Sequence, residues 1–386
     1  MGSGDDGAGM SRRGLLASGA AAVAAAPVRA STRRARARPL IVNALGGLEN
    51  PNLALARPPG AAADTSRPDV DARAIADAKA SGLSAVNITL GYVAGPEDPY
   101  EYTIQTIGTW DRILRDHPAD LIKVDRAADI LKARDEGKVG IIYGFQNAVQ
   151  IGDKLERIDT FGDLGVGVIQ LTYNPANSLG DGSMAPENRG LTAFGRQVVE
   201  RLNASRIMVD LSHSGERTCL DAIAASKQPI SINHTGCRAL TDLPRNKTDA
   251  ELRGVAEKGG FVGVFFMPFL NLGGHATAED VVAHIEHAVR VCGEDHVGIG
   301  TDGDVTGIDD LEAYRGHLAH EVAERAKAGI GATGERADTY PFVVDLRGVN
   351  QFTTLARLLK ARGHKPARID KILGLNFVAY AREIWG

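Results

Sequence analysis

The sequence predicts an α/β chain, a (β/α)8 TIM barrel with additional C-terminal helices. Three observations carry that prediction. Eight short runs are continuously apolar rather than alternating, as parallel strands covered by helices on both faces are. Amphipathic stretches separate them, so strand and helix alternate along the chain. The competing open sheet with a dinucleotide site has no GxGxxG after its first run, where only Gly46-Gly47 stands.

Taken in order, the strand candidates are 40–43, 85–90, 139–143, 168–172, 207–211, 229–233, 261–265 and 297–300. Between them, 192–203 places Phe194, Val198, Val199 and Leu202 on one helical face, and 215–226 and 277–292 behave likewise. The segment 248–258 opens Thr-Asp-Ala-Glu, a capping box. Beyond residue 305 three further helices are expected, near 309–328, 348–362 and 366–385. No internal repeat is visible.

Composition agrees with a globular chain: 386 residues, 44% hydrophobic, 24% charged. A net charge of −4 gives no basic surface for nucleic acid, and 5% aromatics gives little for a base- or sugar-stacking groove. Cys219, Cys237 and Cys292 form no CxxC pair and read as small buried apolar residues.

The first 30 residues read as an address. Arg12-Arg13 precedes an apolar run, Leu15 to Ala26, and a small-x-small ending at Ala30. That order describes a twin-arginine signal and predicts export to the periplasm or exterior. Twelve apolar residues fall short of the roughly 20 that a membrane span needs. Residues 31–39, rich in arginine, read as a linker, and 40–386 as one domain.

A barrel places its chemistry just past the C-terminal ends of its strands. Those positions hold Gln146 and Asn147, then Tyr173 and Asn174, then His213, His234 and Asp302. Two histidines and an aspartate at one mouth suit a metal with a proton-transfer group: imidazole is a preferred zinc ligand, and a carboxylate takes a proton from activated water. The alternative is a pair of hydrogen-bonded core histidines. The other eight histidines fall in helices or loops and read as surface or structural residues. Among them His284 and His287 share a helical face but have no evident third ligand.

These residues resemble the renal (membrane) dipeptidase family of zinc metallohydrolases. The stretches that carry the resemblance are Gly144-Phe145-Gln146-Asn147, Gln170-Leu171-Thr172-Tyr173-Asn174, Gly190 to Gly195, Val209 to His213, Asn233-His234, Arg245-Asn246 and Gly300-Thr301-Asp302. Their order and spacing match over nearly all of 40–385. The resemblance implies cleavage of dipeptides or related amides by two zinc ions joined by a glutamate. It places His213 and His234 on the histidines of the second zinc and Arg245 on the arginine that holds the substrate carboxylate. Asp302 falls on the proton-transferring aspartate. Tyr173 stands where the family usually has a histidine contacting the substrate carbonyl, and Gln146 and Asn147 line the substrate side. It also implies pairing of two copies.

The departures concern the first zinc. Leu45 replaces its histidine, Gly47 its aspartate, and Gln146 the bridging glutamate. Two dications would then face few anions in a partly dry site, at a large electrostatic cost. The expectation is an exported hydrolase of a dipeptide or related amide with a free carboxylate, carrying at most one zinc on His213 and His234, with Asp302 as the candidate third ligand. The alternative is a silent relative that binds a small molecule or peptide. Lactone or ester hydrolysis at the same mouth is a third possibility that no residue selects.

Overall fold

The computed structural model describes residues 38–57 and 67–386. The signal and nearly all of the linker therefore lie outside the described residues.

Among the described residues nine strands form, all parallel: β1 (Val42–Asn43), β2 (Ala85–Thr89), β3 (Leu121–Lys123), β4 (Val139–Phe145), β5 (Val166–Gln170), β6 (Met208–Asp210), β7 (Ser231–Thr235), β8 (Phe261–Val264) and β9 (Val297–Ile299). They run in the order β1-β2-β4-β5-β6-β7-β8-β9, with β3 beside β4. The ends of this path meet. Ala44 N–H donates to the Ile299 carbonyl (3.0 Å). The Asn43 and Thr301 groups add two 2.8 Å bonds across the same seam. The eight strands thus close into the predicted (β/α)8 barrel.

The eight apolar runs all became barrel strands. β3 was not foreseen. Its three residues pair with Val139–Ile141 of β4, whereas β5 pairs from Tyr143 onward. A three-residue strand on part of one neighbour leaves almost no pattern to read.

Helices cover the barrel. Alternate strand residues, such as Val86, Ile141, Ile169 and Val209, and Ile41 just before β1 pack in one core with Ile75, Val198, Leu252 and Val281 of the surrounding helices. Their neighbours Val42, Ile142, Val168 and Met208 pack with Phe261, Phe377 and Tyr380 in another. The last helix, Asn376–Trp385, supplies Phe377 and Tyr380 and so plugs the N-terminal end of the barrel. Asn376 Nδ2 ties it there, donating to the carbonyls of Glu294 and Val297 at 2.8 Å each. A π-helical turn, Lys371–Leu375, leads into it. The capping box at Thr248–Glu251 forms as expected, and all three cysteines are buried and free. Among the described residues no helix is long and apolar enough to cross a membrane.

Candidate active site

The C-terminal ends of the strands bring most of the expected residues together. β6 ends at Asp210, a buried carboxylate that turns the chain. It accepts from Ser212 N–H (3.0 Å) and from Asn233 N–H on β7 (2.9 Å). Ser212 Oγ accepts from His234 N–H (3.1 Å). One buried acid therefore sets the positions of both histidine-bearing loops. Burial raises its pKa, and three hydrogen bonds oppose that rise.

His213 and His234 point their Nε2 atoms at each other, 3.0 Å apart. Asn174 fixes the His213 tautomer. Its Nδ2 donates to the Ile330 carbonyl (2.7 Å), which turns Oδ1 toward His213 Nδ1 (2.7 Å). His213 therefore carries its proton on Nδ1 and aims an Nε2 lone pair at His234. His234 Nδ1 is buried and has no hydrogen-bond partner among the described residues. Burial, followed by the charge of Arg245, holds both imidazoles well below their usual pKa, so both are neutral near pH 7. The gap between the two Nε2 atoms takes either a proton from His234 or a cation.

Gln146 Nε2 lies 3.3 Å from His234 Nε2 and 3.4 Å from Asp302 Oδ1. Asp302 Oδ2 is 3.9 Å from His234 Nε2. Asp302 has φ +58°, a left-handed conformation that Asp tolerates better than most residues. Burial pushes its carboxyl up to about 6, against the pull of Arg245 and Arg325. Tyr173 stacks on His213 with ring centroids 4.1 Å apart. Its hydroxyl oxygen accepts from Arg325 Nη2 (3.4 Å).

Arg245 is buried. Nη1 donates to the Ser212 carbonyl (2.8 Å) and Nη2 to the His234 carbonyl (3.1 Å). Among the described residues no carboxylate stands within ion-pair distance of it. Gln146, Tyr173, His213, Arg245 and Asp302 line one cavity of about 280 Å³. A larger, polar depression of about 610 Å³ lies at the opposite barrel face, around Gly165, Gly167 and Trp385, far from these groups.

One expected residue lies outside the cavity lining. Asn147 is not a cavity residue. Its Nδ2 donates to the Val93 carbonyl, and its Oδ1 accepts from Ala148 N–H and Asn177 Nδ2, so the side chain ties its own loop to the loops after β2 and β5. The outer wall of the cavity was missed. Leu318, Glu321 and Arg325, from the helix Leu311–Lys327, and Glu335 beyond it fold over the mouth. Arg325 is held there by Glu335 (2.7 Å). Only Tyr314 and Leu318 of that helix are buried, so its sequence shows no strong inward face.

The donor set decides how far zinc fits. Leu45 and Gly47 offer no donor atom, and Gln146 offers a neutral one. At Gly47 a Cβ would stand 2.1 Å from Asp304 Oδ1, so the Asp304 carboxylate fills the space that a longer side chain there would need. Side-chain donors for a second ion are therefore absent at positions 45 and 47. A single ion fits the two imidazoles: their 3.0 Å spacing is a few tenths of an ångström under the edge of a tetrahedron with bonds of about 2.0–2.1 Å. The Asn174–His213 hydrogen bond supplies the outer support that metal-binding imidazoles use. Among the described residues, no three His, Cys, Asp or Glu side chains are grouped closely enough to hold a metal. Asp302 is the nearest carboxylate.

A (β/α)8 barrel with imidazoles and a carboxylate at its mouth has the layout of a barrel hydrolase. The pattern of the membrane dipeptidase family (peptidase family M19) matches residues 68–330, and this chain belongs to that family. An uncharacterized dipeptidase of Schizosaccharomyces pombe is 33% identical over 239 residues, 58% of this chain and 57% of that protein. Dipeptidase tcpJ of Claviceps purpurea is 27% identical over 286 residues, 73% of this chain and 60% of that protein. The chain thus spans less than two thirds of either relative. Among solved structures, an amidohydrolase from Pseudomonas aeruginosa is 32% identical, with TM-score 0.75 over 91% of this chain and 98% of that one. A metallopeptidase from Rhodobacter sphaeroides, liganded with a phosphinate mimic of L-Ala-D-Ala, shares the fold at 20% identity, with TM-score 0.69 over 90% of this chain and 100% of that one.

Proposed function

We propose that this protein hydrolyses a dipeptide or a related amide with a free carboxylate, using at most one metal ion on His213 and His234. The observation that carries the reading is Arg245. It is a buried guanidinium with no carboxylate within ion-pair distance among the described residues, in the same cavity as His213 and Asp302. A buried charge is costly when unpaired, and a substrate carboxylate offers the missing anion in bidentate geometry.

The other residues then take roles their contacts suit. Asp302, with its carboxyl raised to about 6, accepts a proton from the attacking water and returns it to the leaving amine. Arg325 donates to the Tyr173 oxygen, which leaves the Tyr173 hydroxyl proton free for an oxyanion developing in the cavity. Zinc, when bound between the imidazoles, supplies Lewis acidity and activates water at neutral pH. Asn174 keeps the His213 Nε2 lone pair turned toward that position.

The test is metal stoichiometry by mass spectrometry on the folded protein, with turnover of a dipeptide panel. About one zinc per chain, lost in His213→Ala, together with turnover, is expected. Two per chain overturns the reading of Leu45, Gly47 and Gln146. No metal after incubation with zinc, and no turnover, shifts the function to a silent, peptide-binding relative. The direct 3.0 Å contact of the two imidazoles is the observation that favours that second reading.

A further inference from the structure

The cover over the barrel mouth reaches the site at two points, and both depend on one turn. The helix Leu311–Lys327 ends in a reversal at Gly329, where φ is +70°. Gly329 N–H donates to the Ala326 carbonyl (3.1 Å), and Ile330 N–H donates to the Arg325 carbonyl (3.0 Å). That pair of bonds is a Schellman turn, which wants a left-handed residue at the position of Gly329. The reversal returns Ile330 to the side chain of Arg325. The Ile330 carbonyl then accepts from Arg325 Nη2 (3.4 Å) and from Asn174 Nδ2 (2.7 Å).

Each point of contact acts on one ring of the stacked Tyr173–His213 pair. An asparagine amide can present either end to a neighbour. The Ser183 hydroxyl, 3.2 Å from Asn174 Oδ1, both donates and accepts, so it leaves that choice open. A carbonyl only accepts. Ile330 therefore keeps Asn174 Nδ2 on its own side and Oδ1 on His213 Nδ1. At the other ring Arg325, held by Glu335, donates to the Tyr173 oxygen (3.4 Å), so the hydroxyl proton turns away from it. Arg245, in contrast, is held by the Ser212 and His234 carbonyls at the strand ends.

We propose that the turn at Gly329 is a positioning device for the hydrolytic step. Through Ile330 and Asn174 it sets the tautomer of His213, and through Arg325 it sets the direction of the Tyr173 hydroxyl. Gly329, Arg325 and Asn174 are thus positioning residues that act through the two stacked rings. The inference rests on the hydrolase reading above, in which His213 presents an Nε2 lone pair and Tyr173 a hydroxyl proton. It gives the cover a part in turnover and none in holding the substrate carboxylate, which Arg245 does from the barrel.

Gly329 permits a test that leaves every site residue in place. A Cβ there would have no atom within 4 Å, so a substitution acts through the cost of the left-handed φ rather than through a clash. Valine adopts that conformation poorly and asparagine tolerates it. Gly329→Val and Gly329→Asn are compared with the wild type on the full chain, by steady-state turnover of a dipeptide and by nitrogen NMR of protein labelled at histidine, without added metal. The His213 signal is assigned by its loss in His213→Ala, and the melting temperature of each variant is recorded. Gly329→Val should lower kcat about tenfold and move KM by less than about twofold, as a small misplacement of reacting groups does. Its His213 signal should move from the Nδ1–H form toward a mixture of both tautomers. Gly329→Asn should match the wild type in both readouts. An unchanged His213 signal in folded Gly329→Val overturns the proposal, as does an equal loss of kcat in the two variants or a rise of KM that matches the loss of kcat. If the wild type turns over no dipeptide, the hydrolase reading fails, and the His213 signal alone decides whether the turn sets the tautomer.

Discussion

Arg245 is the residue whose removal separates recognition from structure. Two of its N–H groups hold the Ser212 and His234 carbonyls, and among the described residues no carboxylate stands within ion-pair distance of the guanidinium. Arg245→Lys keeps the charge but loses the fork. It should raise KM at least tenfold for substrates with a free carboxylate and much less for amidated ones, with kcat little changed. Equal effects on both substrate types in a well-folded variant would remove Arg245 from carboxylate binding. At this scale the sequence was legible where a residue's place followed from its strand end: Gln146, Tyr173, His213, His234 and Asp302 converge as the spacing implied. Asn147 shows the limit. It sits one residue past Gln146 at the same strand end, yet its hydrogen bonds go to Val93, Ala148 and Asn177. A difference of one position decides whether a side chain faces the cavity or ties neighbouring loops together.

At the scale of elements, the helix Asp249–Glu257 is fastened to the barrel by a buried ion pair. Lys247 Nζ stands 3.4 Å from Glu251 Oε1, and both side chains are 2% exposed or less. Lys247 also donates to the Ser214 carbonyl and to Cys219 Sγ, the latter at 3.2 Å. Glu251 Oε2 accepts from Thr248 N–H and Oγ1, so the same carboxylate completes the helix cap. Lys247→Met leaves Glu251 charged and unpaired in the interior. It should destabilise the protein by about 3–5 kcal/mol in chemical denaturation. The double variant Lys247→Met, Glu251→Gln should recover a large part of that loss. Additive losses would mean that the two side chains do not act as a pair. The cap was readable from Thr-Asp-Ala-Glu because capping is a local pattern. The ion pair was not, because its burial depends on the Ser214 loop, which is distant in sequence. β3 escaped notice for a related reason: it exists only through its pairing with Val139–Ile141.

For the whole molecule, the barrel was legible because its rule is simple, eight apolar strands each followed by a crossover. The closure of its two faces was not. The helix Leu311–Lys327 covers the mouth although little of it is buried, and the last helix plugs the other end through Phe377 and Tyr380. That plug is stapled by charge at its entrance. Glu294, in the loop before β9, takes Lys371 Nζ and Arg368 Nε at 2.7 Å each. The ammonium of Lys371, then the guanidinium of Arg368, holds its carboxyl down to about 2. A carboxyl lowered in the folded state binds its proton more readily when unfolded. Its stabilising contribution is therefore complete above the unfolded value of about 4.3 and disappears as pH falls from there toward 2. The cluster is open to water, so the contribution is modest and weakens with salt. Melting temperatures recorded from pH 5 down to pH 2.5 at low ionic strength should fall less steeply in Glu294→Gln than in the wild type. The gap between the two curves should close at the acid end and shrink in 1 M salt. Parallel curves across that range would show that the C-terminal plug is held by Asn376 and the aromatic packing of Phe377 alone, with the charges at its entrance contributing nothing to the folded state.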